Sequence, residues 1–440
     1  MQHSLTWAEL AGLRVGVYGL GVEGRANLRA CQARGLSPML VDDQPQPELP
    51  DALVTSAGGL DALATCEVVI VSPGISIYSD AITSLRERGV KIVGGLGLWL
   101  AGADLDRVIC ITGTKGKSTT AALTAHLLNE WGYRCLVGGN IGTAPWDPEC
   151  GDDYDFWVVE VSSYQATSAT VAPPVVVVTS LNPDHLPWHC GDVETYYRDK
   201  LSLCTRPGAR VTVANADSPE LVQHAALLGS TVHWVSNTDV ADESWVSAVP
   251  LLGQHNQRNA VLAAAALREA GIAEASDADA LARAAATFRP LAHRLTLIDT
   301  VDGVRFIDDG LATNVLPTIA ALESLPGERV ALIVGGHDRG IDYRPLGAYL
   351  READAEVLVL TTPAVGSRIA TEVAESLPGT RSLVRECADL DEAVVGGFDW
   401  ARPGGIVLLS PAAPSFGVYR DYKDRSDAFA RAAHTLAGKS

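Results

Sequence analysis

Two lysines among glycines and small hydroxylated residues set the first chemical expectation. In Gly113-Thr114-Lys115-Gly116-Lys117-Ser118-Thr119 the glycines let the chain curl, so that successive N–H groups can face an anion. The apolar run Val108–Thr112 before it reads as a strand. Ser118–Glu130 after it reads as a helix, whose N-terminus adds a further attraction for negative charge. Strand, glycine bend ending Gly-Lys-Ser/Thr, and helix together make a polyphosphate cradle. Gly113, Thr114, Lys115 and Gly116 would wrap the chain of phosphates, and Lys117 would neutralise the outer ones. Ser118 or Thr119 would hold Mg2+. The loop is shorter than the usual pattern, because only Gly113 and two further residues precede Gly116.

A second glycine motif, Gly19-Leu20-Gly21-Val22-Glu23-Gly24, also follows a strand, and Asp42 ends the next one. The pattern is that of a dinucleotide fold. It suits the nucleotide diphosphate of a substrate, a nicotinamide cofactor, or a tight structural crossover. Carboxylates and imidazoles supply the remaining candidates. Glu160 closes the strand-like Phe156–Val161, placed to ligand Mg2+ or order its waters. Asp184-His185 follows Val175–Leu181 at another strand end. His185 and His189 have zinc-like spacing, but Pro187 between them opposes a regular helix. His185 therefore reads as a magnesium or phosphate contact, and His189 has no assigned role. Lys200 reads, on its own, as a solvated helix lysine. Leu252–Ala260 is dense in amides before a helix, either an adenine-reading edge or a polar cap. His293-Arg294 and Asp308-Asp309 flank a hairpin, Leu295–Ile307, turning at Asp302-Gly303, and could reach a nucleotide.

Positioning such residues requires parallel strands joined by helices, and the chain alternates them throughout. A first block has strands at Arg14–Leu20, Met39–Asp42, Val68–Ser72 and Lys91–Val93. Gly94–Asp106 is Gly-rich and reads as a helix-poor boundary. A second block adds strands at Val108–Thr112, Phe156–Val161, Val175–Leu181, Val211–Ala214 and Val232–Val235, with an Ala-rich helix at Gln257–Ala270. The third carries the hairpin and strands at Val330–Val334, Val357–Leu360 and Ile406–Leu409. The expected fold class is α/β, with three domains at 1–103, 104–294 and 295–440, each on a mostly parallel sheet.

With 34 Lys and Arg against 53 Asp and Glu, the 440-residue chain has a formal charge of -19. Such a surface repels nucleic acid and anionic membranes, so neither is an expected partner. No uncharged apolar stretch reaches about 18 residues, the length a bilayer span needs. The segment from Met1 to Thr6 lacks the features of a signal peptide. The eight cysteines are scattered, the closest pair being Cys190 and Cys204, and read as buried thiols in a reducing cytoplasm.

Taken together, these motifs resemble the Mur ligase family over nearly the whole chain, and most of all its members that add glutamate to UDP-N-acetylmuramoyl-L-alanine. Further pieces of the likeness are Ser72-Pro73-Gly74-Ile75, Gly138-Gly139-Asn140-Ile141-Gly142, Ala312-Thr313-Asn314, Gly335-Gly336 and Ser410-Pro411-Ala412. The resemblance implies a Rossmann-like UDP-binding domain, a P-loop ATPase-like central domain and a Rossmann-like C-terminal domain. It implies an ADP-forming ligase of cytoplasmic peptidoglycan synthesis, monomeric, in which ATP converts a carboxylate to an acyl phosphate that an amine then attacks. By that likeness Lys117, His185, Lys200 and Asn140 are catalytic, with Lys200 carbamylated. Ser118, Thr119, Glu160, His185 and Lys200 would serve the metal. Asn256, Arg294 and Asp309 would hold the adenine, phosphate and ribose of ATP. Gly19, Gly21, Val22, Glu23, Asp42 and Gly74 would hold the UDP substrate, and Thr313, Arg339, Ser415 and Tyr422 the amino acid.

The departures fall where the amine substrate is read. Leu311 stands where the family carries a reaction-pocket lysine, and the family's basic residue after Gly335-Gly336 is here Arg339. An aromatic near the glutamate side chain is Tyr422. Gly95-Leu96-Gly97 replaces an acidic segment, and Pro187 an aspartate. Losing a cation that faces an anion costs about 1.5–3 kcal/mol unless another group compensates. A pocket rebuilt around Leu311 and Tyr422 suits a change of hand, and the expectation leans to L-glutamate, with an epimerase acting on the product. The alternatives are the same reaction with D-glutamate, a folylpolyglutamate-synthase-like ligase, a nucleotide-binding homologue without catalysis, and, last, an NAD-dependent oxidoreductase.

Overall fold

Runs of valine, isoleucine and leucine fix three sheets in a computed structural model that describes residues 4–251, 253–353 and 356–437. Met1–His3, where the leader reading begins, and Leu252 of the amide-rich segment lie outside the described residues. The first sheet is built from β1 (Val15–Tyr18), β2 (Met39–Asp42), β3 (Leu53–Val54), β4 (Val68–Val71) and β5 (Lys91–Val93), in the order β3-β2-β1-β4-β5. The second comprises β6 (Val108–Thr112), β7 (Cys135–Gly139), β8 (Phe156–Glu160), β9 (Val175–Val178), β10 (Val211–Asn215) and β11 (Val232–Val235), ordered β11-β10-β9-β6-β8-β7. Both are parallel throughout. β1, β4, β6 and β9 are buried along their whole length, the pattern of strands covered by helices on both faces.

The third sheet has β12 (Thr296–Val301), β13 (Val304–Asp308), β14 (Arg329–Gly336), β15 (Glu356–Ala364), β16 (Leu383–Glu386) and β17 (Ile406–Leu409), ordered β12-β13-β17-β14-β15-β16. Only the β12–β13 hairpin is antiparallel, and Asp302-Gly303 makes its turn with positive φ at both residues. Three α/β domains, one per sheet, thus follow one another along the chain. Contacts group it into two compact units, Met1–Pro250 with Asn256–Phe288, and Leu251–His255 with Arg289–Ser440. The first unit holds the first two sheets and the second unit the third.

One expectation is overturned. The supposed helix-poor boundary after β5 contains an α-helix, Gly95–Gly102, whose Gly95, Leu96, Gly97, Leu98 and Leu100 are buried. Its glycines are needed for packing. A Cβ on Gly97 would lie 2.2 Å from the Ser168 carbonyl, and one on Gly95 2.5 Å from the Trp146 ring. The sequence reading also passed over β3, β7 and β16. β7 reads Cys-Leu-Val-Gly-Gly, and β16 is an edge strand with Arg385 and Glu386 exposed, so neither shows the apolar run of a buried strand. The reading of all eight cysteines as buried thiols holds for Cys31, Cys66, Cys110, Cys204 and Cys387, but Cys135 and Cys150 are only half-buried and Cys190 is exposed. All eight are free thiols.

Candidate active site

The phosphate-type loop leaves the centre of the second sheet. β6 is flanked by β8 and β9, so the segments after all three strands emerge at one end of the sheet. Open α/β sheets bind ligands at such a point. Gly113 takes φ +132 and has no room for a side chain, since a Cβ would sit 2.2 Å from Thr179 Oγ1. The loop is clamped from behind by the β9 end. The Thr114 amide donates to the Ser180 carbonyl at 2.8 Å, and the Lys115 amide to Ser180 Oγ at 2.8 Å. Gly116 (φ +89) caps the helix Lys117–Glu130, one residue earlier than the sequence reading placed it. Lys117 Nζ lies 3.2 Å from the Thr114 carbonyl, curled over its own loop, and Ser118 and Thr119 are buried in the first turn.

Glu160, the last residue of β8, is 1% exposed. Its Oε1 accepts from Asn140 Nδ2 at 2.7 Å, while Oε2 is buried with no hydrogen-bond partner. A desolvated carboxylate oxygen left unpaired is costly by several kcal/mol unless a cation meets it. That donor set fits a divalent cation. Among the described residues, no three His, Cys, Asp or Glu side chains gather into a metal cage. Mg2+ needs none, since it is commonly held by one or two carboxylates together with substrate phosphates. Asn140 is fixed by its own amide, which donates to the Glu160 carbonyl at 2.8 Å, and by Gly139 (φ +99), where a Cβ would lie 2.3 Å from that carbonyl.

Lys200 differs most from the residue-only reading. It is buried at 3% exposure, not solvated, because the helix Val193–Leu201 turns it inward, under the phosphate loop. Its Nζ donates to the Gly113 carbonyl at 3.0 Å and lies 5.1 Å above the Tyr196 ring. Burial, with Lys117 and Lys115 nearby, drives its pKa well below the ordinary lysine value. A neutral amine has the lone pair that attack on CO2 requires. Lys115 pairs with Asp184 at 3.3 Å. Burial works to raise the Asp184 pKa, but Lys115 and His185 prevail and hold it low. His185 is exposed, in a left-handed conformation (φ 53) ahead of a 3-10 turn, Leu186–His189, so no regular helix forms across Pro187. Desolvation lowers its pKa against the pull of Asp184, which favours the neutral imidazole.

Asn256 and Asn259 stand in the first turns of the helix Gln254–Glu269, both buried. Asn259 Nδ2 donates to Asn256 Oδ1 at 3.3 Å, and a Cβ on Gly116 would meet Asn259 Oδ1 at 2.7 Å. The amide pair therefore abuts the phosphate loop. In the first sheet, the Leu20 amide donates to Asp42 Oδ2 at 2.6 Å, so Asp42 braces the glycine turn. Gly24 is sterically required, its Cβ position being 1.8 Å from the Gly19 carbonyl, whereas nothing crowds Gly21 or Gly74. Val22 is 88% exposed at the start of the helix Val22–Ala33. Burial pushes the Glu23 carboxyl up to about 7, although Gln165 Nε2 donates to it at 2.8 Å. Glu23 and Gln165 line a cavity with Ser72, Pro73, Tyr164 and Trp188.

In the second unit, Asp308 is satisfied by His293 Nδ1 at 2.6 Å, the Gly310 amide at 2.8 Å and Ser426 Oγ at 3.0 Å, so it is structural. Asp309 accepts from Ser410 Oγ at 2.7 Å, and burial, only partly offset by Ser410 and Arg294, raises it to about 7. Thr313 is exposed and Ser415 buried. The exposed Arg339 lies 5.5 Å over the Phe416 ring. Tyr422 packs edge-on to His293, with ring centroids 5.6 Å apart. The half-buried Leu311 is held by its amide, which donates to the His293 carbonyl at 3.2 Å. Sequence reasoning missed Arg425, which is buried and donates to the carbonyls of Gly310, Gly335 and Ala413 at 3.0–3.2 Å. It thereby ties together the loops that carry Thr313, Arg339 and Ser415. Thr179, Ser180 and Tyr196, which shape the phosphate loop from outside it, were also missed. The place of Thr179 and Ser180 just past the end of β9 could have flagged them, whereas Tyr196, inside the helix Val193–Leu201, carries no such signal.

Comparison with known proteins accounts for the same three regions. Residues 14–94 match the Mur ligase MurD-like N-terminal domain, 111–267 the Mur ligase middle domain, and 293–413 the Mur ligase glutamate ligase domain. A protein of Micromonospora sp. named UDP-N-acetylmuramoyl-L-alanine--L-glutamate ligase is 40% identical over 98% of both chains. A protein of the same name from Salinispora tropica is 38% identical over 98% of this chain and 99% of that one. Another, from Xanthomonas euvesicatoria, is 37% identical over 97% and 96%. Among solved structures, UDP-N-acetylmuramate-alanine ligase MurC of Thermotoga maritima aligns over 96% of this chain and 99% of its own, with a TM-score of 0.57 and 17% identity. Mycobacterium tuberculosis folylpolyglutamate synthase complexed with ADP covers 76% of this chain and 92% of its own, with a TM-score of 0.53 and 18% identity. These last two share the fold. The full-length relatives and the three matched domains establish the lineage: the chain belongs to the Mur ligase family.

Proposed function

We propose that this protein is an ADP-forming ligase that joins L-glutamate to UDP-N-acetylmuramoyl-L-alanine. The alanine carboxylate attacks the γ-phosphorus of ATP, ADP leaves, and the acyl phosphate forms. The glutamate amine adds to the acyl carbon, the carbon–oxygen bond to phosphate breaks, and an amide, phosphate and a proton result. Domains at 1–103, 104–294 and 295–440 would take the UDP substrate, ATP and the amino acid in turn.

The protein's part is positioning and charge neutralisation. The Gly113–Thr119 loop receives the phosphates and Lys117 neutralises the transferring group. Ser118, Thr119 and Glu160 would hold Mg2+, which supplies further charge neutralisation, and His185 and Lys200, the latter as a carbamate, would serve a second ion. Asn140 orients Glu160 and faces the acyl phosphate. Asn256, Arg294 and Asp309 hold the rest of the nucleotide. Gly19, Gly21, Val22, Glu23, Asp42 and Gly74 hold the UDP substrate, and Thr313, Arg339, Ser415 and Tyr422 the amino acid. A cytoplasmic monomer whose product passes to an epimerase completes the reading. No helix among the described residues is long and apolar enough to cross a membrane.

The unpartnered, buried Oε2 of Glu160 beside the phosphate loop supports the phosphoryl-transfer half most directly. The choice of L-glutamate is supported by the shared name of the full-length relatives. The test is phosphate release with ATP, Mg2+, UDP-N-acetylmuramoyl-L-alanine and L- or D-glutamate, followed by chiral analysis of the product. Stimulation by L-glutamate is expected, and stimulation by D-glutamate alone overturns the assignment of hand.

A further inference from the structure

His189, which the zinc-like spacing singled out, is fully buried and belongs to a hydrogen-bonded chain that the reaction as described leaves unused. Its Nδ1 lies 2.6 Å from Asp199 Oδ2 and its Nε2 3.1 Å from Ser163 Oγ. The order Ser–His–Asp is that of a hydrolytic triad. Ser163 is only 2% exposed, however, so no substrate reaches the hydroxyl. The chain holds something in place instead. A second group meets the same carboxylate, since Tyr78 OH donates to Asp199 at 2.9 and 3.0 Å. Tyr78 ends the loop that follows β4 and contains Gly74. That loop is fastened to the 3-10 turn at two more points, Trp188 Nε1 to the Pro73 carbonyl at 2.9 Å and Ser76 Oγ to the Trp188 carbonyl at 2.6 Å.

Asp199 immediately precedes Lys200 on the helix Val193–Leu201. Neighbouring helical residues point about 100° apart, so fixing one side chain fixes the direction of the next. The Asp199 side chain takes the Tyr78 and His189 contacts together and is mostly withdrawn from water. We propose that Asp199 is a positioning residue: gripped by Tyr78 on one side and by His189 and Ser163 on the other, it sets the aim of Lys200 at the Gly113 carbonyl. It thereby links seating of the UDP substrate at the Ser72–Tyr78 loop to the phosphate centre. This rests on the proposed function for what Lys200 and that loop do, but not for the mechanical link itself.

The experiment compares the full chain with Tyr78→Phe, Asp199→Asn and their double variant, and His189→Gln with His189→Ala. Tyr78→Phe should raise KM for the UDP substrate about fivefold, with KM for ATP within twofold. Asp199→Asn should lower kcat at least tenfold with nucleotide affinity kept. The double variant should be no worse than Asp199→Asn, because the Tyr78 effect passes through that carboxylate. Multiplying effects overturn the proposal, and so does His189→Gln performing no better than His189→Ala. Hydrogen exchange gives an arm independent of activity: the amides of Val193–Leu201 should exchange faster in Asp199→Asn and in Tyr78→Phe, and unchanged protection overturns it. If the wild-type protein consumes no ATP with glutamate, the proposed function fails while this arm still decides the link.

Discussion

The residues at the end of the second sheet do two kinds of work, and substitutions separate them. Lys117 Nζ lies 3.2 Å from the Thr114 carbonyl of its own loop. Lys117→Ala is expected to lower kcat/KM for ATP about 10²–10³-fold, the cost of deleting one aimed cation or donor, with an unchanged circular dichroism spectrum. Glu160 poses the sharper test, because its carboxylate is buried with one oxygen unmatched. Glu160→Gln keeps shape and removes charge. In EDTA its melting temperature should equal or exceed that of the wild type, since a desolvated charge has gone. In a magnesium titration of phosphate release its half-saturating concentration should rise roughly tenfold, in keeping with a lost charge-assisted ligand. A fall in stability with unaltered magnesium dependence rejects Glu160 as a ligand.

At the scale of elements, periodicity and glycine placement carried most of the reading. Strands β2, β5, β6, β11 and β17 begin and end where their apolar runs do. The helix Gly95–Gly102 escaped notice because glycine argues against helices locally, and its reason for being there is a carbonyl far along the chain, at Ser168. Lys200 was illegible for a similar cause: a lysine in a polar helical run looks solvated until the fold brings Gly113 over it. The fingerprint Gly19–Gly24, which sequence left with three readings, can be resolved one glycine at a time. Gly24→Ala forces a Cβ against the Gly19 carbonyl and should destabilise by about 1–3 kcal/mol in urea unfolding, the usual cost of overpacking. Gly21 has open space and φ -66, so Gly21→Ala should leave stability within about 0.5 kcal/mol. It should still weaken binding of UDP-N-acetylmuramoyl-L-alanine by isothermal titration if that backbone approaches the diphosphate. Loss of stability with unchanged binding in Gly21→Ala makes the motif a structural turn.

For the molecule as a whole, charge is the dominant long-range property, and two desolvated carboxyls, the half-buried Glu23 and the buried Asp309, run against it. Glu23 in one compact unit and Asp309 in the other are both raised to about 7 by burial, in a chain of formal charge -19. A raised carboxyl keeps its proton in the native state after the unfolded chain has released it. Between the ordinary carboxyl pKa and about 7 the folded state therefore binds more protons, and stability falls as pH rises. Above about 7 both states are ionised and the loss is complete, with a ceiling of a few kcal/mol per group from the size of the shifts. Calorimetry from pH 4.5 to 8 should show this decline. Asp309→Asn should flatten it for the unit built on the third sheet, and Glu23→Gln for the unit holding the first two, so that each variant gains on the wild type as pH rises and then runs parallel to it. A decline that persists in both variants would assign it to the general repulsion of the acidic surface. That repulsion is screened by salt, whereas the contribution of two desolvated groups is not, so repeating the series in 0.5 M NaCl distinguishes the two origins.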